Sequence, residues 1–225
     1  MLSLFMNNIK AIIFDAYGTL FDVNSAAKKC KDKIGDKWKH FSNFWRITQL
    51  EYTWLRSLMK GHKDFWQITE DSLDKSMKAF NIDHSMKNEL LNLYKVLSPF
   101  EEVPETLKIL KQKNYKVAIL SNGTPSLLSE LVNNNGLNNF IDDIFSVETV
   151  KIYKPSPKVY DIPIQKYKIK KNEIIFLSAN TWDVSGGGNY GFHSIWVNRG
   201  DNIFDNLDYK PKNQIKNLSE LLKLV

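Results

Sequence analysis

Carboxylates, a lysine and small hydroxyl or amide side chains gather at four places in this chain, each beside a short apolar run. The first is Asp15-Ala16-Tyr17-Gly18-Thr19-Leu20-Phe21-Asp22. A carboxylate at the mouth of a strand is a candidate nucleophile. Gly18 permits a tight turn, and Ala16 and Tyr17 offer backbone N–H groups to an anion. An isolated Asp there would read as a turn cap. The second place is Ser121-Asn122-Gly123-Thr124-Pro125. It is either an anion site at the start of a helix or a plain helix cap. The third, Lys151-Ile152-Tyr153-Lys154-Pro155-Ser156-Pro157, holds a lysine beside two prolines that fix its position. A lone lysine faces solvent, whereas one beside carboxylates keeps them ionised. The fourth is Ser178-Ala179-Asn180-Thr181-Trp182-Asp183, followed by Gly186-Gly187-Gly188, which read as mobile. Asp183 is a candidate second carboxylate facing the first, and Asn180 a donor that orients it; a helix cap is the other reading. Four polar clusters at successive strand ends make coincidence a poor explanation.

The elements that must position these groups are legible as hydrophobic patterns. Apolar runs at Ile9 to Phe14, Tyr115 to Leu120, Glu173 to Leu177 and His193 to Val197 read as parallel strands covered on both faces, with a weaker one at Asp143 to Val147. Helical patterns follow at Pro104 to Lys113, Ser126 to Asn133, Pro157 to Lys166 and Leu218 to Leu224. Alternation of this kind predicts an α/β fold, a Rossmann-like doubly wound parallel sheet with right-handed crossovers. The first strand breaks the rhythm, because helical segments near 24–34, 40–60, 64–81 and 84–97 precede the second, divided by Gly35, Gly61 and Asn81 to His84. The expected division is a core of residues 1–22 and 100–225 with a helical cap domain, 23–99, inserted after the first strand. Ligands of such sheets bind beyond the carboxyl ends of the strands, where all four polar clusters fall.

Composition narrows the function. The 225 residues are 43% hydrophobic and 25% charged, an ordinary globular balance. The net charge of +6 invites a nucleic-acid reading, yet only Arg46, Arg56 and Arg199 are arginine among 31 basic residues. Phosphate and base recognition favours arginine, and the lysine clusters lack interleaved aromatics, so no nucleic-acid partner is expected. One cysteine, Cys30, excludes a disulfide framework and a cysteine-built zinc site, and suits a reducing compartment. The run Met1 to Met6 is too short for a signal-peptide core, and no stretch approaches a membrane span. The expectation is a soluble, cytoplasmic protein with no membrane partner.

The strand-end motifs together resemble the haloacid dehalogenase superfamily, and within it the L-2-haloacid dehalogenases. The stretch Trp45-Arg46-Ile47-Thr48-Gln49-Leu50-Glu51-Tyr52-Thr53-Trp54-Leu55-Arg56-Ser57-Leu58-Met59 extends the likeness into the cap, so that it runs nearly end to end. The resemblance implies hydrolysis of (S)-2-haloacids to (R)-2-hydroxy acids. Asp15 displaces halide to form an ester, and Asp183 activates the water that cleaves it. It implies that Lys154 keeps Asp15 ionised and that Asn180 and Ser178 hold Lys154 and Asp183. Thr19 and Tyr160 match functional positions of less definite role. The substrate carboxylate is expected against Ser121 and the N–H groups of Ala16, Tyr17 and Asn122, the halide against Arg46 and Asn122, and the substrate side chain among Tyr17, Leu50, Phe65 and Trp182. Homodimers are common in the family, and the apolar helix around Trp54 suits a second subunit.

The superfamily's phosphatases place a second Asp two positions after the nucleophile and hold magnesium on a loop beginning Gly-Asp. Here Tyr17 and Ser178-Ala179-Asn180 stand at those positions. Halide needs no proton on leaving, so the resemblance favours dehalogenation without metal or cofactor. A magnesium-dependent small-molecule phosphatase and a catalytically silent binding protein are the alternatives. Two departures from the family pattern stand out. Ile47 replaces an expected Gln, and the triple glycine is expected to loosen the surroundings of Asp183. His40, His62, His84 and His193 are scattered and read as structural or solvent-facing.

Overall fold

The computed structural model describes residues 8–225, so Met1 to Met6 lies outside the described residues. Strands β1 (Ala11–Phe14), β2 (Lys116–Ser121), β3 (Asp143–Ser146), β4 (Ile174–Ser178), β5 (His193–Val197) and β6 (Asn213–Ile215) form one parallel sheet of order β3-β2-β1-β4-β5-β6. Strands β1 and β4 are fully buried along their lengths, which is why they read as unbroken apolar runs. Strand order reverses at β1, and Phe14 pairs with both Ile119 and Leu177, so the loops after β1, β2 and β4 open side by side.

Between β1 and β2 the chain is helical: α1 (Ser25–Lys29), α2 (Lys31–Ile34), α3 (Trp38–Leu58), α4 (Phe65–Phe80) and α5 (Lys87–Tyr94). Gly35 and Asn81 stop α2 and α4 in left-handed conformations, and Asp64 caps α4 by accepting from Gln67 N at 2.9 Å. The segment expected at 24–34 is two short helices meeting at buried Cys30. Helices α3 and α4 pack along each other, burying Phe41, Trp45 and Leu50 from one and Phe65, Ile68 and Leu73 from the other. At its root the insertion is closed by paired backbone: Asp22 N donates to Ser98 O at 2.8 Å, Phe100 N to Leu20 O at 3.0 Å, and Phe21 bridges Pro99 antiparallel.

The remaining helices are α6 (Val103–Gln112), α7 (Pro125–Asn134), α8 (Pro157–Tyr167) and α9 (Thr181–Tyr190). The final segment is a 3-10 helix, Leu218–Lys223, where an α-helix was expected. Strand β6 went unforeseen because only Ile215 of its three residues is buried, too little for a pattern. The expectation of a loose triple glycine is overturned. Gly186, Gly187 and Gly188 lie inside α9, and a Cβ on them would collide with Tyr160 and Pro155, with Phe176, and with Tyr209 respectively. These glycines let α9 press against its neighbours, and so they tighten the surroundings of Asp183. Among the described residues no helix is long and apolar enough to cross a membrane.

Candidate active site

Asp15 is the first residue beyond β1, its backbone N–H donating to Leu177 O at 2.8 Å. Gly18, at φ +88°, turns the loop back so that the N–H groups of Leu20 and Phe21 converge on Ala16 O. Three donors face the buried Asp15 carboxylate. Lys154 Nζ stands 3.1 Å from Oδ1, and Thr19 Oγ1 and Asn180 Nδ2 stand 3.0 and 2.9 Å from Oδ2. The directions of these bonds are settled by their other partners. Thr19 Oγ1 accepts from Ala179 N at 2.8 Å, so its proton goes to Asp15. Asn180 Nδ2 also reaches Tyr17 O at 3.3 Å, which puts the amide nitrogen, and not its oxygen, on this side.

Lys154 Nζ continues to Asp183 Oδ2 at 2.9 Å, and Tyr160 Oη donates to Asp183 Oδ1 at 2.7 Å. The Lys154 and Asp183 side chains are wholly buried, with the ammonium 5.0 Å from the Phe176 ring. Burial would depress the Lys154 ammonium, but Asp15 and Asp183 outweigh it and hold its pKa above the ordinary lysine value. For Asp183 burial prevails: desolvation, helped by the Asp15 charge, raises it to about 6 against the pull of Lys154 and the Tyr160 hydrogen bond. The Tyr160 hydroxyl is itself raised well above its usual value by burial and by Asp183, which keeps it a donor. Two carboxylates bridged by an ammonium, one fully dressed with donors and one poised near neutrality, can perform nucleophilic attack followed by proton abstraction.

The polar loop after β2 resolves into two functions. Thr124 caps α7, accepting from Leu127 N at 3.3 Å, which leaves Ser121 and Asn122 outside the cap. Ser121 Oγ accepts from Gly123 N at 3.1 Å, and Asn122 Oδ1 accepts from Lys154 N at 3.0 Å, so the Asn122 amide nitrogen is turned away from that bond. The expectation that Asn180 and Ser178 hold Lys154 and Asp183 is corrected in part: the Asn180 carbonyl accepts from Asp183 N at 3.0 Å, but the side chains serve elsewhere. Asn180 holds Asp15, Ser178 Oγ accepts from Asn180 N at 3.1 Å, and it is Tyr160 that holds Asp183. The spacing Ser178-Ala179-Asn180 carries a tight turn that feeds Asn180 toward β1, which is why it reaches the first carboxylate.

From the insertion, Arg46 on α3 reaches down with Nη2 3.5 Å from Tyr17 O and Nη1 2.8 Å from Gln49 Oε1. Leu50, one turn beyond Arg46, is buried. Tyr17 packs between Phe65 and Tyr94 with ring centroids 5.3 and 5.6 Å away, and its buried hydroxyl has no hydrogen-bond partner. Burial holds that hydroxyl protonated, well above the usual tyrosine value. Phe65 also meets Tyr153, and Trp182 meets Trp54 edge-on at 5.5 Å. Ala16 is buried.

Four contributors were not anticipated. Arg199 Nη2 donates to Thr19 O at 2.8 Å and pairs with Glu102 at 2.7 Å, bracing the loop after β1. Tyr153 Oη donates to Lys63 O at 2.6 Å, and His62 pairs with Glu148 at 2.9 Å, tying the α3–α4 connection to the loops after β3. Gln49 supports Arg46; its place three residues on, along the same helical face, was the one available signal.

A doubly wound sheet with a helical insertion and a carboxylate–ammonium–carboxylate cluster at its switch point is that of an α/β enzyme working at the carboxyl edge of the sheet. Residues 9–191 match the family model described as haloacid dehalogenase-like hydrolase. The chain is 38% identical to the (S)-2-haloacid dehalogenase of Pseudomonas sp. (strain YL), covering 97% of this chain and 95% of that one. It is 37% identical to (S)-2-haloacid dehalogenase 4A of Burkholderia cepacia, covering 98% and 96%. A solved structure of L-2-haloacid dehalogenase from Xanthobacter autotrophicus with chloropropionic acid covalently bound superposes with a TM-score of 0.88, at 31% identity, covering 96% and 98%. This chain belongs to the haloacid dehalogenase-like hydrolases.

Proposed function

We propose that this protein is an (S)-2-haloacid dehalogenase, converting (S)-2-haloalkanoic acids and water to (R)-2-hydroxy acids and halide. The observation that carries the reading is Lys154 set between Asp15 and Asp183, 3.1 and 2.9 Å from them. The activity for which the relatives above are named supports it. An Asp15 oxygen attacks C2 opposite the halogen; the C–O bond forms as the carbon–halogen bond breaks, its electron pair leaving with the halide. Holding nucleophile and carbon in line is worth roughly 7–11 kcal/mol at the limit. A water oxygen then adds to Asp15 Cγ while Asp183 takes its proton. The ester bond breaks at the carbonyl, the departing alkoxide takes the proton from Asp183, and the second water proton, left on the Asp15 carboxyl, passes to solvent, which restores the Asp15 carboxylate.

In this reading Thr19 and Asn180 aim Asp15, Ser178 sets Asn180, and Tyr160 orients Asp183. Ser121 with the N–H groups of Ala16, Tyr17 and Asn122 receives the substrate carboxylate. Arg46 and Asn122 meet the charge developing on the halogen, while Tyr17, Leu50, Phe65 and Trp182 surround the substrate side chain. Lys154 supplies the positive charge between the carboxylates, so we take the reaction to need no metal. We take residues 23–99 as a cap over the core, and the buried free thiol of Cys30 supports a reducing, cytoplasmic setting.

The test is halide release from the separate enantiomers of 2-chloropropionate with a chelator present. Release from the S form only, giving R-lactate, is the expected result. Magnesium-dependent phosphate release without dehalogenation would overturn it in favour of a phosphatase, and silence in both assays in favour of a binding protein.

We also infer a homodimer. Ile47, Leu55 and Leu58 on α3, with Met59 just past its end, project into solvent, Leu58 with 81% of its surface exposed, an apolar strip that a second copy would cover. Sedimentation equilibrium is expected to give twice the chain mass, and Leu58→Glu a monomer. A monomeric wild type would sink the idea.

A further inference from the structure

Arg46 is held by a hydrogen-bond chain that can run in only one direction. Thr69 Oγ1 lies 2.7 Å from Phe65 O, an acceptor, so the hydroxyl proton goes there. Toward Gln49, also 2.7 Å away, Thr69 Oγ1 is therefore an acceptor, and the amide must present Nε2 to it. That turns Gln49 Oε1 to Arg46 Nη1 at 2.8 Å. A reversed amide would set its oxygen against a spent hydroxyl and its N–H groups against those of the guanidinium. Tyr94 Oη sits beside the same amide, 3.1 Å from Nε2 and 3.3 Å from Oε1. Gln49, Thr69 and Tyr94 are all buried, so none of these groups has water as an alternative partner.

The chemistry of the acceptor matters as much as its place. Side-chain arginines are usually fixed by carboxylates, as Arg56 is by Asp71 at 3.0 Å in this same insertion. Gln49 fixes Arg46 with a neutral oxygen, which orients the guanidinium while leaving its charge uncancelled. We propose that Gln49 and Thr69 are positioning residues for displacement, aiming an unneutralised Arg46 at the leaving halide; this rests on the dehalogenase reading above. Gln49→Met then loses the aim and keeps the charge, and Gln49→Glu cancels the charge while setting a second oxygen against Thr69 Oγ1. Both slow the first chemical step. Neither touches the water, Asp183 or Asp15, so ester hydrolysis is spared.

Single-turnover kinetics on (S)-2-chloropropionate and (S)-2-bromopropionate separate the two steps. Gln49→Met is expected to slow ester formation about 100-fold with chloride as the leaving group, the order of loss a misplacement near 1 Å brings, and about tenfold with the more easily departing bromide. Ester hydrolysis should stay within about twofold of wild type, since the second step uses no group that Gln49 holds. Gln49→Glu should show the same preference for bromide. Thr69→Val should follow Gln49→Met, whereas Thr69→Ser, which keeps both the accepted and the donated bond, should behave as wild type; this pair serves if Gln49→Met folds poorly. Equal slowing of both steps, or loss without regard to the halogen, would mean that Gln49 merely supports the fold, and would overturn the proposal. Arg46→Met is the reference. If it shows the halogen dependence and the Gln49 and Thr69 variants do not, this inference fails and the dehalogenase reading stands. If wild type releases no halide, both fall.

Discussion

Asp183→Asn is expected to halt the protein with substrate attached: one halide released per chain, then arrest, with Asp15 carrying a 1-carboxyethyl group detectable by mass spectrometry of its peptide. An amide at this position cannot take a proton from water, and loss of a general base costs about 100- to 10,000-fold in turnover. In the proposed mechanism displacement uses Asp15, Lys154 and Arg46, none of which is removed. The pH dependence sharpens the test. Asp183 is held up near 6 chiefly by burial and partly by the charge of Asp15. As pH falls the Asp183 carboxylate gains a proton and ceases to be a base, so ester hydrolysis declines on the acid side. Steady halide turnover by the variant, or ester hydrolysis that does not decline on acidification, would rule out Asp183 as the base.

Lys154→Met removes the ammonium and leaves two carboxylates facing each other where both are nearly or wholly buried. Breaking a buried ion pair from one side costs roughly 3–5 kcal/mol, because an uncompensated charge stays inside. The variant is expected to unfold at correspondingly lower urea near neutral pH and to lose nearly all ester formation, because one of the carboxylates retains a proton. The sign of the pH effect follows from linkage. With the cation gone, the folded variant holds protons on these carboxylates at pH values where the unfolded chain has released them. Its stability therefore rises as the pH falls toward the ordinary carboxylate range. Urea unfolding of wild type and variant at neutral and mildly acidic pH should show the deficit shrinking on acidification. A constant deficit would mean that lost packing of the lysine stem, and not its charge, is responsible.

What could be read from the amino-acid order was whatever is written locally. Strands β1 and β4 are buried on both faces and so appear as unbroken apolar runs, and the polar groups that matter sit within a few residues of the strand ends. Asp15, Lys154 and Asp183 could be placed together for that reason. Contacts made across the fold were not legible. Nothing in Ser178-Ala179-Asn180 tells that the amide turns to Asp15 and not to Lys154, since the choice depends on Tyr17 O lying beside it. The glycines of α9 looked loose because glycine in a loop is mobile, yet their use here is to admit Tyr160, Phe176 and Tyr209 close to the helix. Gln49 and Thr69 belong to different helices, and only the packing of α3 on α4 makes them partners.

The paired backbone at the root of the insertion bears on how the sheet is assembled. Strands β1 and β2 are neighbours, with Phe14 beside Ile119, although the entire insertion lies between them in the chain. Closing a flexible loop costs entropy that grows with the logarithm of its length, and contacts of such wide separation slow folding. The bonds joining Leu20 and Asp22 to Ser98 and Phe100 pin the two ends of the insertion together once its helices have packed. Only two short stretches, 15–19 and 101–115, then remain to be closed before β1 can meet β2. The helical insertion is thus a clasp on the chain, because it converts a remote strand pairing into a nearly local one.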